Sequence, residues 1–443
     1  MIAMHFGLPS QRNLGDWLSY IESTHPKDID LGLGRVKKVA ENLGIEKVAK
    51  KTITVAGTNG KGSCVATMES ILNHSGHNIG SYTSPHILRF TERIKLNGKE
   101  VSESALCEAF TTVENARGDV ALTYFEFSTL AALLIFSRKE LDFVLLEVGL
   151  GGRLDAVNIV DADVAIITSI DLDHQGWLGD DRESIGREKA GIIRENKPVV
   201  YGDQIATNSV LAEAKSKNAP LFLAGRDFQW KENTNGSSFA WLGKSAVKEN
   251  FVDLPTPNLA LSNISLGIQA LYLTGVKIDH EILKFSLRQL YLPGRFDSCV
   301  DKSTGVKVIL DVAHNPAAAL MLANNIKCEL EKNPKIKQIS AVIGLMADKD
   351  IGGFVAKLQP YVDSWYVCEL DSDRSVSARD ISAHLYDGNR IVLANGRSFV
   401  ECYNQACSDL LHYQQVETDC EGIIIVTGSF LSVTAVQGAV KRW

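Results

Sequence analysis

A short glycine-rich segment carries the residues best suited to chemistry on a phosphate. Residues 57–63 read GTNGKGS, follow an alternating β-branched pattern typical of a strand, and precede apolar residues at helical spacing. In such a strand–loop–helix unit the glycines let backbone N–H groups turn inward, the helix N-terminus adds partial positive charge, and Lys61 adds a full charge. A glycine separates Lys61 from Ser63 and none lies five residues before Gly60, so the spacing departs from the usual P-loop. We favour a phosphate site over a tight turn with an incidental lysine.

Polar side chains also follow three apolar runs that predict buried strands. Ser84 comes after residues 79–82, Glu147 lies near the end of 143–148, and His174 follows 164–169 together with two aspartates. A buried carboxylate is costly unless it is paired, hydrogen-bonded or bound to a metal. A salt bridge to Arg153 would satisfy Glu147, but we favour a magnesium role because a nucleoside triphosphate site needs an oxygen-ligated cation.

Three further residues have both a structural and a functional interpretation. Lys189 lies on a helix predicted over residues 183–193, where an exposed surface lysine is the simpler reading. Asp311 and His314 follow a predicted strand at 306–310, where ligands often collect in α/β sheets. Asp311 could instead be an N-cap and His314 a surface residue, and the sequence leaves both readings open.

The order of elements predicts an α/β protein with two domains. Strands alternate with helices up to residues 292–296, LPGRF, apart from a small antiparallel hairpin expected within 228–241, and the strand–helix rhythm then restarts. We predict a mostly parallel P-loop sheet domain over residues 1–294 and a smaller Rossmann-like domain over 295–443.

Composition excludes several classes of protein. The 443 residues carry a net charge of −7, which disfavours binding of nucleic acid by bulk electrostatics. No apolar run is long enough to span a bilayer, the N-terminus lacks the pattern of a signal peptide, and the eight cysteines form no CxxC pair. We therefore expect a cytoplasmic protein without a membrane or nucleic-acid partner.

Eight motifs occur in an order that resembles one enzyme family. They are GTNGKGS, TSPH, LTYFE, EVGLGGRLDA, the DH after a buried strand, GREKAGI, LPGRF and DVAHNP. Together they resemble the dihydrofolate synthase/folylpolyglutamate synthase family, the folate branch of the Mur ligase superfamily. The resemblance implies ATP-dependent addition of L-glutamate to dihydropteroate and to the glutamate tail of tetrahydrofolates, through an acyl phosphate. It also implies a P-loop domain and a Rossmann-like glutamate-ligase domain, with the active site between them.

The resemblance assigns expected roles to individual residues. ATP would be held by Thr58, Asn59, Gly60, Lys61, Asn263, Arg295 and Asp311, and magnesium by Ser84, Glu147 and His174 in two sites. The dihydropteroate pocket would contain Ile29, Asp30, Leu31, Gly32, Thr123, Tyr124, Phe125, Glu126, Leu154, Asp155 and Ala156, with His314 and Ser429 on the glutamate side. Lys61, His174 and Lys189 would be catalytic, Lys189 in a carbamylated form. A monovalent cation is left open as a further cofactor, and the expected state is a monomer acting on small molecules.

Two rival functions remain at this point. A cell-wall Mur ligase is the nearest, although about fifty residues before the phosphate loop leave no room for a nucleotide-sugar domain. A nucleotide-dependent switch without catalysis is the other. The switch is disfavoured because nucleotide binding alone does not require so many acidic and metal-binding side chains as Glu147, His174 and Lys189 provide.

Overall fold

The computed structural model describes residues 12–27, 29–234, 236–244, 248–385, 390–394, 397–417 and 419–442. The chain divides into two compact units, Met1–Leu290 and Tyr291–Trp443. The boundary expected after Gly294 falls among the first residues of the second unit. Within the described ranges, every helix is too short or too polar to traverse a lipid bilayer.

The first unit is built on a mostly parallel sheet. Its strands are β1 (Lys51–Ala56), β2 (Ile79–Tyr82), β3 (Ile94–Leu96), β4 (Lys99–Glu100), β5 (Phe143–Glu147), β6 (Val164–Ile167), β7 (Val199–Tyr201) and β8 (Leu221–Leu223). They lie in the order β4-β3-β2-β5-β1-β6-β7-β8. Pairing is parallel from β2 to β8 and antiparallel at β3 and β4, where Asn97 and Gly98 form the hairpin turn. The apolar runs at β1, β5 and β6 are buried, as expected for central parallel strands.

Helices cover this sheet. They are α1 (Leu14–Ser23), α2 (Gly34–Asn42), α3 (Lys61–His74), α4 (Glu103–Arg117), α5 (Tyr124–Ser137), α6 (Gln175–Leu178), α7 (Arg182–Ala190), α8 (Asn208–Ser216), α9 (Leu261–Leu273) and α10 (His280–Gln289). Every residue of α5 from Glu126 to Phe136 is buried, so α5 is a core helix of the first unit. Thr123 begins that helix as its N-cap, with Glu126 completing a capping box.

The predicted hairpin within 228–241 is part of a larger element. Strands β9 (Gln229–Glu232), β10 (Ser238–Lys244) and β11 (Lys248–Pro255) form a separate antiparallel sheet. The β9–β10 hairpin is confirmed, and β11 adds a third strand. Trp241 packs against Phe251 of β11 and Tyr272 of α9, so aromatic packing holds this sheet on the helix.

The second unit is a smaller α/β fold. Its strands are β12 (Asp297–Asp301), β13 (Lys307–Leu310), β14 (Ile336–Ile343), β15 (Ser364–Val367), β16 (Arg390–Leu393), β17 (Glu421–Thr427) and β18 (Val440–Arg442), in the order β16-β15-β14-β17-β13-β12-β18. Its helices are α11 (Pro316–Lys332), α12 (Ile351–Leu358), α13 (Ala378–Ser382), α14 (Phe399–Val416) and α15 (Phe430–Gln437). The five strands from β16 to β13 are parallel and β12 and β18 are antiparallel, which confirms the predicted Rossmann-like architecture.

Candidate functional site

The carboxyl ends of four neighbouring strands form the candidate site of the first unit. Strands β2, β5, β1 and β6 are adjacent and parallel, so the segments that follow them emerge at one edge of the sheet. These segments are the phosphate loop after β1, the Ser84 segment after β2, the Gly149 segment after β5 and the segment with His174 after β6. The sheet thus brings together four of the predicted motifs.

Lys61 forms hydrogen bonds within the phosphate loop. Helix α3 begins at Lys61, and Gly60 precedes it with φ +86°. The Lys61 ammonium donates hydrogen bonds to the carbonyl oxygens of Gly57 at 3.0 Å and Thr58 at 3.3 Å. Thr58 also exchanges hydrogen bonds with the backbone of Asp171, which fastens the loop to the segment after β6. The loop is therefore a preformed turn whose carbonyl oxygens are bound by the Lys61 ammonium.

Two glycines in this loop are required by close contacts. A Cβ at Gly57 would lie 1.7 Å from Thr168 Oγ1, and a Cβ at Gly60 would lie 2.3 Å from the side-chain oxygen of Asn263. Thr168 donates a hydrogen bond from Oγ1 to the carbonyl oxygen of Asn59 at 2.6 Å. Asn263, predicted to contact nucleotide, is thus placed beside the loop by helix α9.

Glu147 and Ser84 meet across the strands β5 and β2. The Ser84 N–H donates to Glu147 Oε2 at 3.2 Å, and the Glu147 side chain is buried. The alternative in which Arg153 pairs with Glu147 is wrong, because Arg153 pairs with Glu188 of α7 at 2.9 Å. The structure therefore brings together two of the three residues predicted to hold magnesium.

His174 lies in a turn held by Asp173, the aspartate of the DH motif. His174 has φ +51°, and its backbone N–H donates to Asp173 Oδ1 at 2.8 Å. The same carboxylate oxygen is 4.0 Å from His174 Nε2. Asp173 is buried, whereas 39% of the His174 side chain is exposed. The position of Asp173 directly before His174 was the feature of the sequence that could have indicated this contact.

Lys189 is buried, so the reading of an exposed surface lysine is wrong. Only 4% of its surface is exposed. Burial and the charge of Lys61 lower the pKa of Lys189 to about 7, with Asp173 opposing them. Helix α7 thus presents to the interior an amine that is partly neutral near pH 7.

The predicted pterin segments are joined by an arginine to which the sequence interpretation gave no role. Arg35, on α2, contacts Asp30 Oδ2 from Nη1 at 2.6 Å and Glu126 Oε1 from Nη2 at 3.0 Å. It also donates to the Asp30 carbonyl oxygen at 2.6 Å. The structure therefore places the 29–32 segment beside the start of α5. Ile29, Leu31 and Gly32 are partly exposed around this ion pair.

The third pterin segment lies against the same helix. The Phe125 ring is so close to Gly149 that a Cβ there would lie 2.7 Å from it. Asp155 is buried and accepts hydrogen bonds from the N–H groups of Gly149 and Leu150, each at 2.9 Å. Leu154 is partly exposed and Ala156 is buried. Burial raises the pKa of Asp155 to about 6, against the effect of these N–H groups and of Lys61.

The second unit has a cluster of its own. Asp311 accepts from the N–H groups of Phe296 and Ala313, both at 2.8 Å, and burial raises its pKa. The guanidinium of Arg295 lies 5.2 Å from the centre of the Phe430 ring.

His314 and Ser429 belong to the same cluster. His314 Nδ1 is 2.8 Å from the Val312 carbonyl oxygen. Ser429 begins α15 as its N-cap, and the adjoining Gly428 N–H donates to the carbonyl oxygen of Ala313.

The N-cap reading of Asp311 is wrong. Asn315 caps helix α11 by accepting from the Ala318 N–H at 2.9 Å. Asp311 instead fixes the LPGRF segment, since its carboxylate binds the backbone of Phe296. Arg295, Asp311, His314 and Ser429 are therefore gathered in one part of the second unit.

Comparison with known protein families matches both units. The Mur ligase middle domain matches residues 55–238, and the Mur ligase glutamate ligase domain matches residues 294–430. The chain is 43% identical over 426 residues to the dihydrofolate synthase/folylpolyglutamate synthase of Escherichia coli K12, covering 96% of this chain and 94% of the relative.

Solved structures agree with this assignment. Escherichia coli FolC in complex with DHPP and ADP superposes with a TM-score of 0.88 at 41% identity, covering 98% of each chain. A bifunctional folylpolyglutamate synthase/dihydrofolate synthase with Mn, AMPPNP and L-glutamate bound gives a TM-score of 0.85 at 41% identity, covering 97% of this chain and 98% of the other. The chain belongs to the dihydrofolate synthase/folylpolyglutamate synthase family of the Mur ligases.

Proposed function

We propose that this chain is an ATP-dependent ligase that joins L-glutamate to dihydropteroate, giving dihydrofolate, and to the glutamate tail of tetrahydrofolates. One observation carries the proposal for the first unit. Four adjacent parallel strands end at one edge of the sheet and place there the phosphate loop with Lys61, the Ser84–Glu147 contact and the segment with His174. The phosphate and metal residues of the expected site therefore lie on neighbouring segments.

The phosphate loop fits a nucleoside triphosphate. No side chain caps the start of α3 at Gly60, so the first N–H groups of this helix can receive phosphate oxygens. Thr58, Asn59, Gly60 and Lys61 would hold these phosphates. Lys61 would exchange its hydrogen bonds to loop carbonyls for phosphate oxygens. Asn263 on α9, with Arg295 and Asp311 on the second unit, would contact the rest of the nucleotide.

The reaction proceeds in two steps. A carboxylate oxygen of the pterin substrate attacks the γ-phosphorus of ATP, forming an acyl phosphate and releasing ADP. The amine of glutamate then attacks the acyl carbon, loses a proton and releases inorganic phosphate as the amide forms. Because one anion attacks another in the first step, Lys61 must offset the accumulating negative charge.

Glu147, Ser84 and His174 fit a divalent cation. A buried carboxylate held near a serine provides the oxygen donors that magnesium prefers. Bound magnesium would reduce the repulsion between the triphosphate and the substrate carboxylate. Ser84 and Glu147 would form one site and His174 would belong to a second.

Lys189 would join the second site as a carbamate. A lysine amine attacks carbon dioxide only when it is neutral, and a pKa of about 7 supplies that form at neutral pH. The product loses a proton and becomes an anion with two oxygen donors. This change of sign would turn a cation next to Lys61 into a group able to hold magnesium and orient it with His174.

The pterin substrate would lie between the 29–32 segment and α5. The Asp30–Arg35–Glu126 ion pairs hold these elements together, and Tyr124 and Phe125 offer aromatic surfaces for a flat ring. Asp155 would complete the pocket together with Leu154 and Ala156. His314 and Ser429 would contact the incoming glutamate.

The proposal also assigns a function to each of two domains. Residues 1–294 would form the ATP-binding domain and residues 295–443 the glutamate-ligase domain. The monomeric state, the cytoplasmic location and the additional monovalent cation stay predictions from the sequence.

Purified protein tests this function directly. With dihydropteroate, L-glutamate, ATP and magnesium, we expect dihydrofolate, ADP and phosphate in equal amounts. Omission of either glutamate or dihydropteroate should remove most ADP formation. A nucleotide-sugar acid in place of dihydropteroate should give no product, which separates this function from that of a cell-wall ligase. ATP hydrolysis that is independent of both organic substrates would favour the switch and contradict the proposal.

A further inference from the structure

Arg93 is a buried cation that has no carboxylate partner in the described part of the chain. Only 8% of its surface is exposed, and no acidic oxygen of a described residue lies within 4.0 Å of its guanidinium. Its one side-chain hydrogen bond among these residues runs from Nε to His86 Nδ1 at 2.8 Å. Because His86 Nδ1 accepts this hydrogen bond, it carries no proton, and this partner is a neutral imidazole that cannot balance the charge of Arg93.

The position of Arg93 connects two parts of the candidate site. Its carbonyl oxygen accepts from the Thr83 N–H at 2.9 Å, which places it beside the Ser84 segment. Its guanidinium carbon lies 5.6 Å from the centre of the Tyr124 ring and 5.3 Å from that of Phe90. Arg93 therefore lies between the predicted magnesium residues and the predicted pterin pocket.

Such an arginine is expected to meet an anion. Removing a guanidinium from water is costly, and one neutral imidazole and two ring faces offset only part of that cost. Arginine binds carboxylates through two parallel hydrogen bonds, and its terminal nitrogens are suited to that role here. The carboxylate of a bound substrate would balance this charge.

The two acyl substrates of the proposed function differ in the number of their carboxylates. Dihydropteroate has one carboxylate, which is the group that reacts and must lie next to the phosphate loop and Lys61. A tetrahydrofolate with a glutamate tail reacts through the γ-carboxylate of its last residue and keeps an additional α-carboxylate close to it. Only the second substrate therefore brings an anion that is not consumed in the reaction.

We propose that Arg93 binds the α-carboxylate of the terminal glutamyl residue of folate substrates, and so is a specificity residue for polyglutamate formation. This inference rests on the proposed function. Lys61 serves the reacting carboxylate in both activities, whereas Arg93 serves only the substrates that carry a tail. One pocket can then accept a short substrate and a longer one without losing alignment of the reacting group.

Substitution of Arg93 provides the first test. Arg93→Met keeps the length and apolar stem but removes the charge, and Arg93→Lys keeps the charge without the planar fork. For Arg93→Met we expect the KM of tetrahydrofolate to rise about 10- to 100-fold, as for loss of a charged hydrogen bond. The KM of dihydropteroate should change by less than about threefold, and Arg93→Lys should be intermediate.

Arg89→Met is the matched control. Arg89 lies at the start of the same segment, is exposed and pairs with Glu100 at 2.9 Å. Its substitution should leave both KM values unchanged. Unfolding in urea, measured for all variants, separates a loss of stability from a loss of substrate contact.

A substrate analogue tests the same contact without any substitution. Tetrahydropteroyl-4-aminobutyrate keeps the γ-carboxylate and lacks the α-carboxylate. The wild-type protein should bind it about 10- to 100-fold more weakly than tetrahydropteroylglutamate, and Arg93→Met should bind both alike.

Equal affinity of the wild-type protein for the two compounds would overturn the inference. So would equal losses with dihydropteroate and tetrahydrofolate in Arg93→Met, which would indicate a structural role. If the wild-type protein forms neither product, the proposed function itself fails. Normal wild-type activities with equal losses in the variant would reject only the role of Arg93.

Discussion

Asn263 lies so close to Gly60 that any side chain at position 60 would meet it, since a Cβ there would be 2.3 Å from its side-chain oxygen. We predict that Gly60→Ala loses ATP binding while the fold is retained, because either Asn263 or the phosphate loop must move. The expected weakening of ATP binding is at least about tenfold, measured by isothermal titration.

Gly76→Ala controls for backbone strain. Gly76 has φ +80°, similar to Gly60, but no atom lies within 4 Å of a Cβ built there. Its substitution should cost about 1 kcal/mol of stability and leave ATP affinity unchanged. If both variants bind ATP normally, contact between the loop and Asn263 does not shape the nucleotide site.

Lys61→Ala should abolish both ligase activities through kcat. Lys61 acts on charge that develops as the carboxylate attacks the γ-phosphoryl group, so kcat should fall by about 100- to 1,000-fold. Lys51→Ala, which alters an exposed lysine at the start of β1, is the control and should have normal kinetics. Near-normal turnover of Lys61→Ala would remove the phosphate loop from the mechanism.

Asp155 should make stability depend on pH in an unusual direction. Burial raises its pKa from 3.8 to about 6, so the folded protein holds this proton more tightly than the unfolded chain. The stabilisation is complete below pH 4 and is lost as pH rises through about 6, by an amount of about 3 kcal/mol. We therefore expect the free energy of unfolding of the wild type, relative to Asp155→Asn, to decrease between pH 4 and 6 and stay constant above. A difference that increases over this range would show that the carboxylate is stabilised in its ionised form.

Lys189 variants should separate charge from size. Lys189→Ala should lose activity and require more magnesium, whereas Lys189→Glu should retain more activity because it restores a negative charge. Acetate should partly restore the activity of Lys189→Ala. Wild-type protein from which carbon dioxide has been removed should lose activity and regain part of it when bicarbonate is added. Lys197→Ala, which removes an exposed lysine paired with Asp163, is the control. Equal activity of the Ala and Glu variants, with no response to carbon dioxide, would contradict the carbamate.

Local patterns predicted the elements well because each depends on neighbouring residues. The strand predicted from alternation at β1 and the buried strands predicted from apolar runs at β5 and β6 were confirmed. Polar residues at the ends of the predicted strands also marked loops that lie at one edge of the first sheet. Such patterns can be recognised in the sequence without knowledge of tertiary contacts.

Contacts between distant residues were harder to predict. Nothing near Lys189 indicates that helix α7 turns it inward, because periodicity alone does not say which neighbour covers a face. Arg153 could pair with either Glu147 or Glu188, and only the packing of α7 decides for Glu188. Arg35 likewise gains a role only when α2 and α5 come together.

The central claim is that ATP activates the pterin carboxylate as an acyl phosphate at the Lys61 loop. Dihydropteroate labelled with oxygen-18 in its carboxylate tests this claim most directly, with the released phosphate analysed by mass spectrometry. The mechanism predicts that each phosphate formed in the presence of glutamate and ATP carries one labelled oxygen. Dihydrofolate formed with unlabelled phosphate would contradict it.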